Sequence, residues 1–331
     1  MSKKKKINVA VIGAGNMGAL HARVYSELRD VNLAAVSDID EKTGRKIAKK
    51  FSCHYHKNYN EMLNRENIDA VSVAVPTSLH KRVALDVIRH KKHLLIEKPI
   101  AANVKEAKEI IRRAKRAKVK LAVGHIERFN PAVQTLKKII EKGKIGKIIT
   151  VMAIRVGLFP PRIKDVNVII DLAIHDLDIF NYLLNQEPKN IFAMGGYALT
   201  NKREDYAEIF IRYPMANCIL QVNWITPVKI RTLSVTGSRG YAALDYITQK
   251  VELYKSNYKR QIGDFGEFVI RFGESKKRAI RIKKGEPLVN ELKSFMECIR
   301  KNTEFLVTGE EGLRALIIAE RVLKSLKNHR I

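Results

Sequence analysis

The chain of 331 residues is 46% hydrophobic, enough for two domains of ~100–200 residues, each with a core of its own. No tract has the composition of a disordered segment, no apolar run nears the ~18 residues of a membrane span, and three scattered cysteines (Cys53, Cys218, Cys298) supply no disulfide framework, so a reducing cytoplasm fits best. The net charge of +28 raises nucleic-acid binding, yet the basic residues are dispersed, with no recognition helix or aromatic ladder; a solvated lysine-rich surface whose field gathers anionic small molecules is the better reading.

Met1-Ser2-Lys3-Lys4-Lys5-Lys6 resembles the start of a secretion signal, but the apolar Ile7–Ile12 behind it is too short for a signal core and runs into Gly13. It reads as a solvated tail before a first strand. From there strands and helices alternate: strand Ile7–Ile12, helix Asn16–Leu28, strand Leu33–Ser37, helix Glu41–Lys50, strand Ala70–Val75, helix His80–His90 and strand His93–Glu97. Asn103, with Glu106 three residues on, caps a helix running to about Lys118, and Lys120–Gly124 closes as a strand. Short, wholly apolar strands separated by helices specify a parallel sheet covered on both faces. The expected first domain is therefore a doubly wound α/β Rossmann domain over residues 1–125.

After His125 the pattern changes. A helix from Asn130-Pro131 to about Lys142 is followed by alternating runs at Ile148–Val156, Asn190–Leu199, Ala207–Tyr213, Cys218–Trp224, Arg231–Thr236, Ala242–Ile247 and Lys250–Tyr254. A helix over Asp171–Leu184 interrupts them, and helices at Asn290–Lys301 and Glu310–Asn328 end the chain. The expectation is an α+β domain over 126–331 with a large, mostly antiparallel sheet for substrate binding and oligomerisation, its C-terminal helix a candidate to pack back on the first domain.

Gly13-Ala14-Gly15-Asn16-Met17-Gly18 follows the first strand and opens a helix. Gly13 makes the tight turn, Gly15 lets the backbone approach a pyrophosphate, and Gly18 lets helix and sheet pack closely, with the pyrophosphate on the positive helix end. Asp38, twenty residues beyond Gly18, ends the second strand where a carboxylate bonds the adenosine ribose and repels a 2′-phosphate. That favours NAD over NADP, although Lys42 and Arg45 nearby soften the preference and a solvated strand end is the rival reading. Val75-Pro76-Thr77 ends the third strand, so Pro76 and Thr77 border the nicotinamide end, with His80 more a helix-start residue than a catalyst.

Glu97-Lys98-Pro99 closes the fourth strand and so shares this crevice, while Asp171-x-x-x-His175, followed by Asp176 and Asp178, lies in the second domain. With the glycine turn and Thr308-Gly309-Glu310, these motifs resemble the glucose–fructose oxidoreductase / inositol dehydrogenase (Gfo/Idh/MocA) family along nearly the whole chain. Val123-Gly124-His125-Ile126-Glu127-Arg128-Phe129-Asn130-Pro131 and Phe159-Pro160-Pro161-Arg162 look like its UDP-N-acetylglucosamine 3-dehydrogenase branch. Oxidising a secondary alcohol needs a base for the hydroxyl proton and a positive group for the developing alkoxide. The resemblance implies His175 as the acid/base and Asp171 as its orienter or a substrate hydroxyl acceptor, with Asp176 and Asp178 leaving the partner carboxylate open. It also implies that Lys98 polarises the carbonyl oxygen and shares the proton relay, and that Glu97 bonds a nicotinamide ribose hydroxyl. Without these companions His175 would read as a buried helix histidine and Lys98 as a surface lysine.

Arg128, Arg155, Arg162 and the loop Leu158–Val168 are candidates for the substrate, because arginines suit a sugar-nucleotide diphosphate, though each could equally be a surface charge. His54 and His56 beside Cys53 lack a fourth ligand at usual spacing, so no metal is expected. The expected activity is NAD-dependent oxidation of a sugar hydroxyl, the 3-hydroxyl of a UDP-N-acetylhexosamine first, with an inositol or free-sugar dehydrogenase second and oxidation as the opening step of glycoside cleavage third. A regulator sensing NAD(P) on the same fold is the rival of another class; it predicts a degraded acid–base set, whereas Lys98, Asp171 and His175 are all present. The partners implied are a small-molecule substrate and further copies of the chain as homodimer or homotetramer, with no nucleic acid and no membrane.

Overall fold

A computed structural model describes residues 6–158, 166–199, 203–256, 258–262, 268–272 and 276–329. The chain divides into two compact units, residues 6–129 with Glu286–Glu320, and Asn130–Gly285 with residues 321–329.

The first unit runs through β1 (Ile7–Ile12), α1 (Asn16–Glu27), β2 (Val31–Ser37), α2 (Glu41–Phe51), β3 (His54–His56), α3 (Tyr59–Arg65), β4 (Ala70–Val73), α4 (His80–Arg89), β5 (His93–Glu97), α5 (Val104–Ala117) and β6 (Leu121–Gly124). Six parallel strands lie in the order β3-β2-β1-β4-β5-β6. Strand order reverses between β1 and β4, the switch point outside which such sheets bind ligands. Consecutive residues Val9, Ala10 and Val11, and again Leu94, Leu95 and Ile96, are fully buried, because helices cover both sheet faces. Ala22 of α1, Val83 and Val87 of α4, and Ala107 and Ile110 of α5 fill those layers. Asn103 accepts from the Glu106 amide at 3.0 Å, which sets the start of α5 as its capping pattern requires.

In the first unit one strand and one α-helix escaped the sequence reading. The short β3 and the seven-residue α3 stand between the second and third expected strands. The Glu-Lys-Pro motif consequently follows the fifth strand rather than the fourth, and the strand expected to reach Val75 stops at Val73.

The second unit holds α6 (Pro131–Glu141), β7 (Ile148–Val156), a π-helical turn (Ile169–Ala173) running directly into α7 (Ile174–Leu184), β8 (Asn190–Gly196), β9 (Tyr206–Arg212), β10 (Asn217–Asn223), β11 (Ile230–Gly237), β12 (Gly240–Asp245), β13 (Lys250–Lys255), β14 (Tyr258–Ile262), β15 (Phe268–Phe272) and β16 (Lys276–Ile280). Its eight-stranded sheet runs β16-β13-β12-β11-β7-β10-β9-β8 and is antiparallel except where β7 and β10 pair in parallel. β14 and β15 form a separate hairpin. Register places Ala193, Ile209, Leu220, Ala153, Leu233, Leu244 and Val251 in one row on the buried face. One residue along, the row Phe192, Phe210, Ile219 and Met152 lies on the opposite, open face.

Two helices complete the chain, α8 (Pro287–Lys301) and α9 (Gly309–Asn328). α8 belongs to the first unit, where Phe295 meets Phe305 edge-on and Phe305 stacks on Phe129. Within the second unit, the Ser325 hydroxyl at the end of α9 accepts from the Ala193 amide of β8 at 2.9 Å.

Candidate active site

The nucleotide cradle forms where β1 meets α1. Gly13 has φ +93°, a left-handed conformation suited to glycine, and a side chain there would strike the Ala74 carbonyl. A Cβ on Gly18 would lie 1.6 Å from the Gly13 carbonyl oxygen, so this position admits no side chain. Gly15 differs: a Cβ there meets nothing within 4 Å. It is also the N-cap of α1 and offers no side-chain acceptor to the amides of Asn16, Met17 and Gly18 at the first turn. Open space over a positively polarised helix start suits a pyrophosphate. Asp38 stands beside it, accepting from the Ala14 amide at 2.6 Å and from the Asp40 amide at 2.8 Å. Each oxygen keeps a further lone pair for a ribose hydroxyl. The residues present therefore fit NAD.

Pro76 and Thr77 begin a 3-10 turn between β4 and α4, Pro76 exposed and Thr77 half-buried. His80, a candidate cofactor neighbour in the sequence, is buried: its Nδ1 lies 2.8 Å from the Pro99 carbonyl and its Nε2 3.0 Å from the Val75 carbonyl. Lys98 is half-buried after β5, and the Lys98–Pro99 peptide is cis.

Glu97 brings with it residues that motif reading missed. Its Oε1 accepts from His21 Nε2 at 2.9 Å and its Oε2 from the Lys98 amide at 3.3 Å. His21 Nδ1 lies 3.0 Å from the Ser72 hydroxyl, which lies 2.8 Å from the Tyr25 hydroxyl. His21, Ser72 and Tyr25 are fully buried. Burial works to raise the Glu97 carboxyl, but the hydrogen bond and charge of His21, then the charge of Lys98, hold it below the ordinary value. Gly124 on β6 leaves the slot for this carboxylate, since a Cβ there would come 2.9 Å from Oε1.

In the second unit, Asp171 and His175 flank the passage from the π turn into α7, and both are half-buried. The regular helix expected to start at Asp171 is thus a π turn first, a feature that recurs at functional sites. Asp171 Oδ2 accepts from Trp224 Nε1 at 3.3 Å. Asp176 faces elsewhere: Arg155 donates to it through Nε at 2.5 Å and Nη2 at 3.3 Å, and the Tyr246 hydroxyl donates to it at 3.0 Å.

Arg155 and Asp176 each expose 1% of their side chains. Arg128, in the first unit, exposes 3% and pairs with Glu311 at 2.7 Å. Arg128 and Arg155, both expected at the substrate, are each held in an ion pair within their own unit. Arg162 lies outside the described residues. Among the described residues no group of three or more His, Cys, Asp and Glu is arranged to hold a metal ion, and no helix is long and apolar enough to cross a membrane.

Residues 7–125 match the model of an oxidoreductase family with an NAD-binding Rossmann fold, and residues 133–243 match the GFO/IDH/MocA C-terminal domain. The chain is 29% identical to UDP-N-acetylglucosamine 3-dehydrogenase of Acidithiobacillus ferrooxidans over 96% of each chain. It is 26% identical to myo-inositol 2-dehydrogenase of Thermotoga maritima over 98% of this chain and 97% of that one. A solved structure of the Acidithiobacillus enzyme superposes with a TM-score of 0.86 at 27% identity, covering 98% of this chain and 99% of that one. The chain belongs to the GFO/IDH/MocA oxidoreductases and carries their NAD-binding domain.

Proposed function

We propose that the chain oxidises a secondary hydroxyl of a sugar to a ketone with NAD, and that the sugar is a UDP-linked N-acetylhexosamine oxidised at its 3-hydroxyl. The observation that carries the reaction type is Lys98 directly after β5, in the same unit and at the same carboxyl end of the parallel strands as the glycine cradle. The identity of 29% to the UDP-N-acetylglucosamine 3-dehydrogenase, against 26% to the myo-inositol 2-dehydrogenase, supports the choice of sugar.

NAD, when bound, supplies the hydride acceptor. His175 takes the hydroxyl proton, with Asp171 orienting the ring or accepting from a neighbouring hydroxyl. The Lys98 ammonium stabilises the developing alkoxide and shares the proton relay. Glu97 fixes the start of the Lys98 turn and retains lone-pair capacity for a ribose hydroxyl. Because Arg128 and Arg155 are committed to carboxylates, recognition of the diphosphate falls to Arg162 among the three arginines. The open sheet face, with Phe192, Phe210 and Met152 41%, 46% and 42% exposed, pairs with a second copy of the chain.

The test is to supply purified protein with NAD and, separately, UDP-N-acetylglucosamine, N-acetylglucosamine and myo-inositol, following formation of the reduced cofactor. The reading expects turnover with the UDP-sugar and loss of it when UDP is removed. Faster turnover with myo-inositol would shift the assignment to the inositol branch.

A further inference from the structure

Two buried histidines converge on the turn that carries Lys98. His21, from α1, grips the Glu97 side chain on one side of it through Nε2 at 2.9 Å. His80, from the start of α4, grips the Pro99 carbonyl on the other side through Nδ1 at 2.8 Å. Each ring is anchored at its opposite nitrogen to β4 or the segment after it: His21 to the Ser72 hydroxyl at 3.0 Å, His80 to the Val75 carbonyl at 3.0 Å. Lys98 therefore sits between two residues that are tied, through one imidazole each, to β4 and to the segment that follows it.

We propose that His21 and His80 are positioning residues for Lys98, bracing the Glu97-Lys98-Pro99 turn against β4 and the Val75-Pro76-Thr77 segment so that the ammonium is held at the reacting oxygen. The inference rests on the catalytic reading of Lys98. Rigid aromatic rings suit the task because an imidazole spans two fixed partners with only two torsions to lock. The chain behind His21 is closed as well, the Ser72 hydroxyl being held by Tyr25 at 2.8 Å. Gly124 leaves room for the Glu97 carboxylate on the β6 side, room that a Cβ would close. A carbonyl oxygen only accepts and a neutral imidazole carries one N–H, so His80 donates to one of its two carbonyls as the neutral ring and to both only as the imidazolium; a side-chain amide placed at either nitrogen supplies one such donor.

That substitution logic gives a crossed test. The amide nitrogen of asparagine falls near the Nδ1 position of histidine, and that of glutamine near Nε2. His80→Asn keeps a donor for Pro99 and loses the one for Val75; His80→Gln does the reverse. At position 21 the pattern inverts: His21→Gln keeps the bond to Glu97 and His21→Asn loses it. A misplaced catalytic group of about 1 Å costs on the order of 100-fold in rate. The expected result is a kcat reduced ~100-fold in His80→Gln and His21→Asn, with KM for the sugar little changed, and most of kcat retained in His80→Asn and His21→Gln. Amide hydrogen exchange of residues 97–101, measured on the protein alone, should quicken in the same two variants and stay near the parent rate in the other two. If asparagine and glutamine behave alike at each position, in kcat and in exchange, the bracing role is overturned and the histidines are merely structural. If the parent protein oxidises no sugar, the catalytic reading has failed, and the exchange pattern still decides the bracing.

Discussion

Replacing Arg155 by methionine removes one side of a buried ion pair while keeping most of the side-chain volume. Arg155 and Asp176 each expose 1% of their side chains, so solvent screening takes little from the interaction. Leaving a buried carboxylate without its cation costs about 3–5 kcal/mol. The Tyr246 hydroxyl still donates to Asp176 at 3.0 Å, which favours the lower end. At about 3 kcal/mol, and ~2–4 °C per kcal/mol for a unit of this size, the melting temperature should fall by roughly 6–12 °C. The assay is thermal unfolding followed by circular dichroism, with steady-state kinetics on the fraction folded at lower temperature. A fall in melting temperature with KM for the UDP-sugar nearly unchanged supports the structural role. An unchanged melting temperature with KM raised tenfold or more would refute it and return Arg155 to the substrate. The double variant Arg155→Met with Asp176→Leu should recover most of the loss, because a packed apolar pair removes the orphaned charge.

Gly15→Ala should leave the melting temperature unchanged, since its Cβ meets nothing, yet weaken NAD binding about tenfold, as titration calorimetry can show. Gly18→Ala should fail to give folded, NAD-binding protein, because its Cβ would overlap the Gly13 carbonyl. The Glu97 carboxyl is held below its unfolded value of 4.5, so its stabilising share is full above that pH and lost as pH falls through the lower folded value. Glu97→Gln should therefore flatten the fall in melting temperature on acidification below about pH 4.5, and an unchanged slope would contradict the charge assigned to Glu97. Phe210→Lys, in the middle of the open sheet face, should convert an oligomer to monomer in light scattering after size exclusion, with no change in circular dichroism.

Much of the fold was legible because its signals are local. Apolar runs at Ile7–Ile12 and His93–Glu97, the cap at Asn103 and the alternation through β7 to β13 each announce an element by themselves. β3 was invisible for a physical reason: His54-Tyr55-His56 is a three-residue edge strand with one exposed and two half-buried side chains, so it has no apolar run to show. The π turn at Ile169–Ala173 leaves no pattern distinct from that of an α-helix. In the site, motif residues stood out while their supports did not. His21 and Ser72 are polar residues with no motif around them, and only the fold reveals that Ser72 holds the imidazole that meets the Glu97 carboxylate. Arg155 did carry a signal: it continues the inward positions Val151 and Ala153 of β7. The alternate residues Met152 and Ile154 are apolar too, which hid the direction in which the strand faces.

Hydride transfer from C3 of the sugar to NAD is directly measurable. UDP-N-acetylglucosamine carrying deuterium only at C3 should be incubated with the protein and NAD, and the reduced cofactor weighed by mass spectrometry. The reduced cofactor should be heavier by one deuterium, and the product should be a 3-keto sugar nucleotide. Reduced cofactor without deuterium would place the oxidation at another carbon, and no reduced cofactor despite demonstrated NAD binding would contradict the assigned reaction.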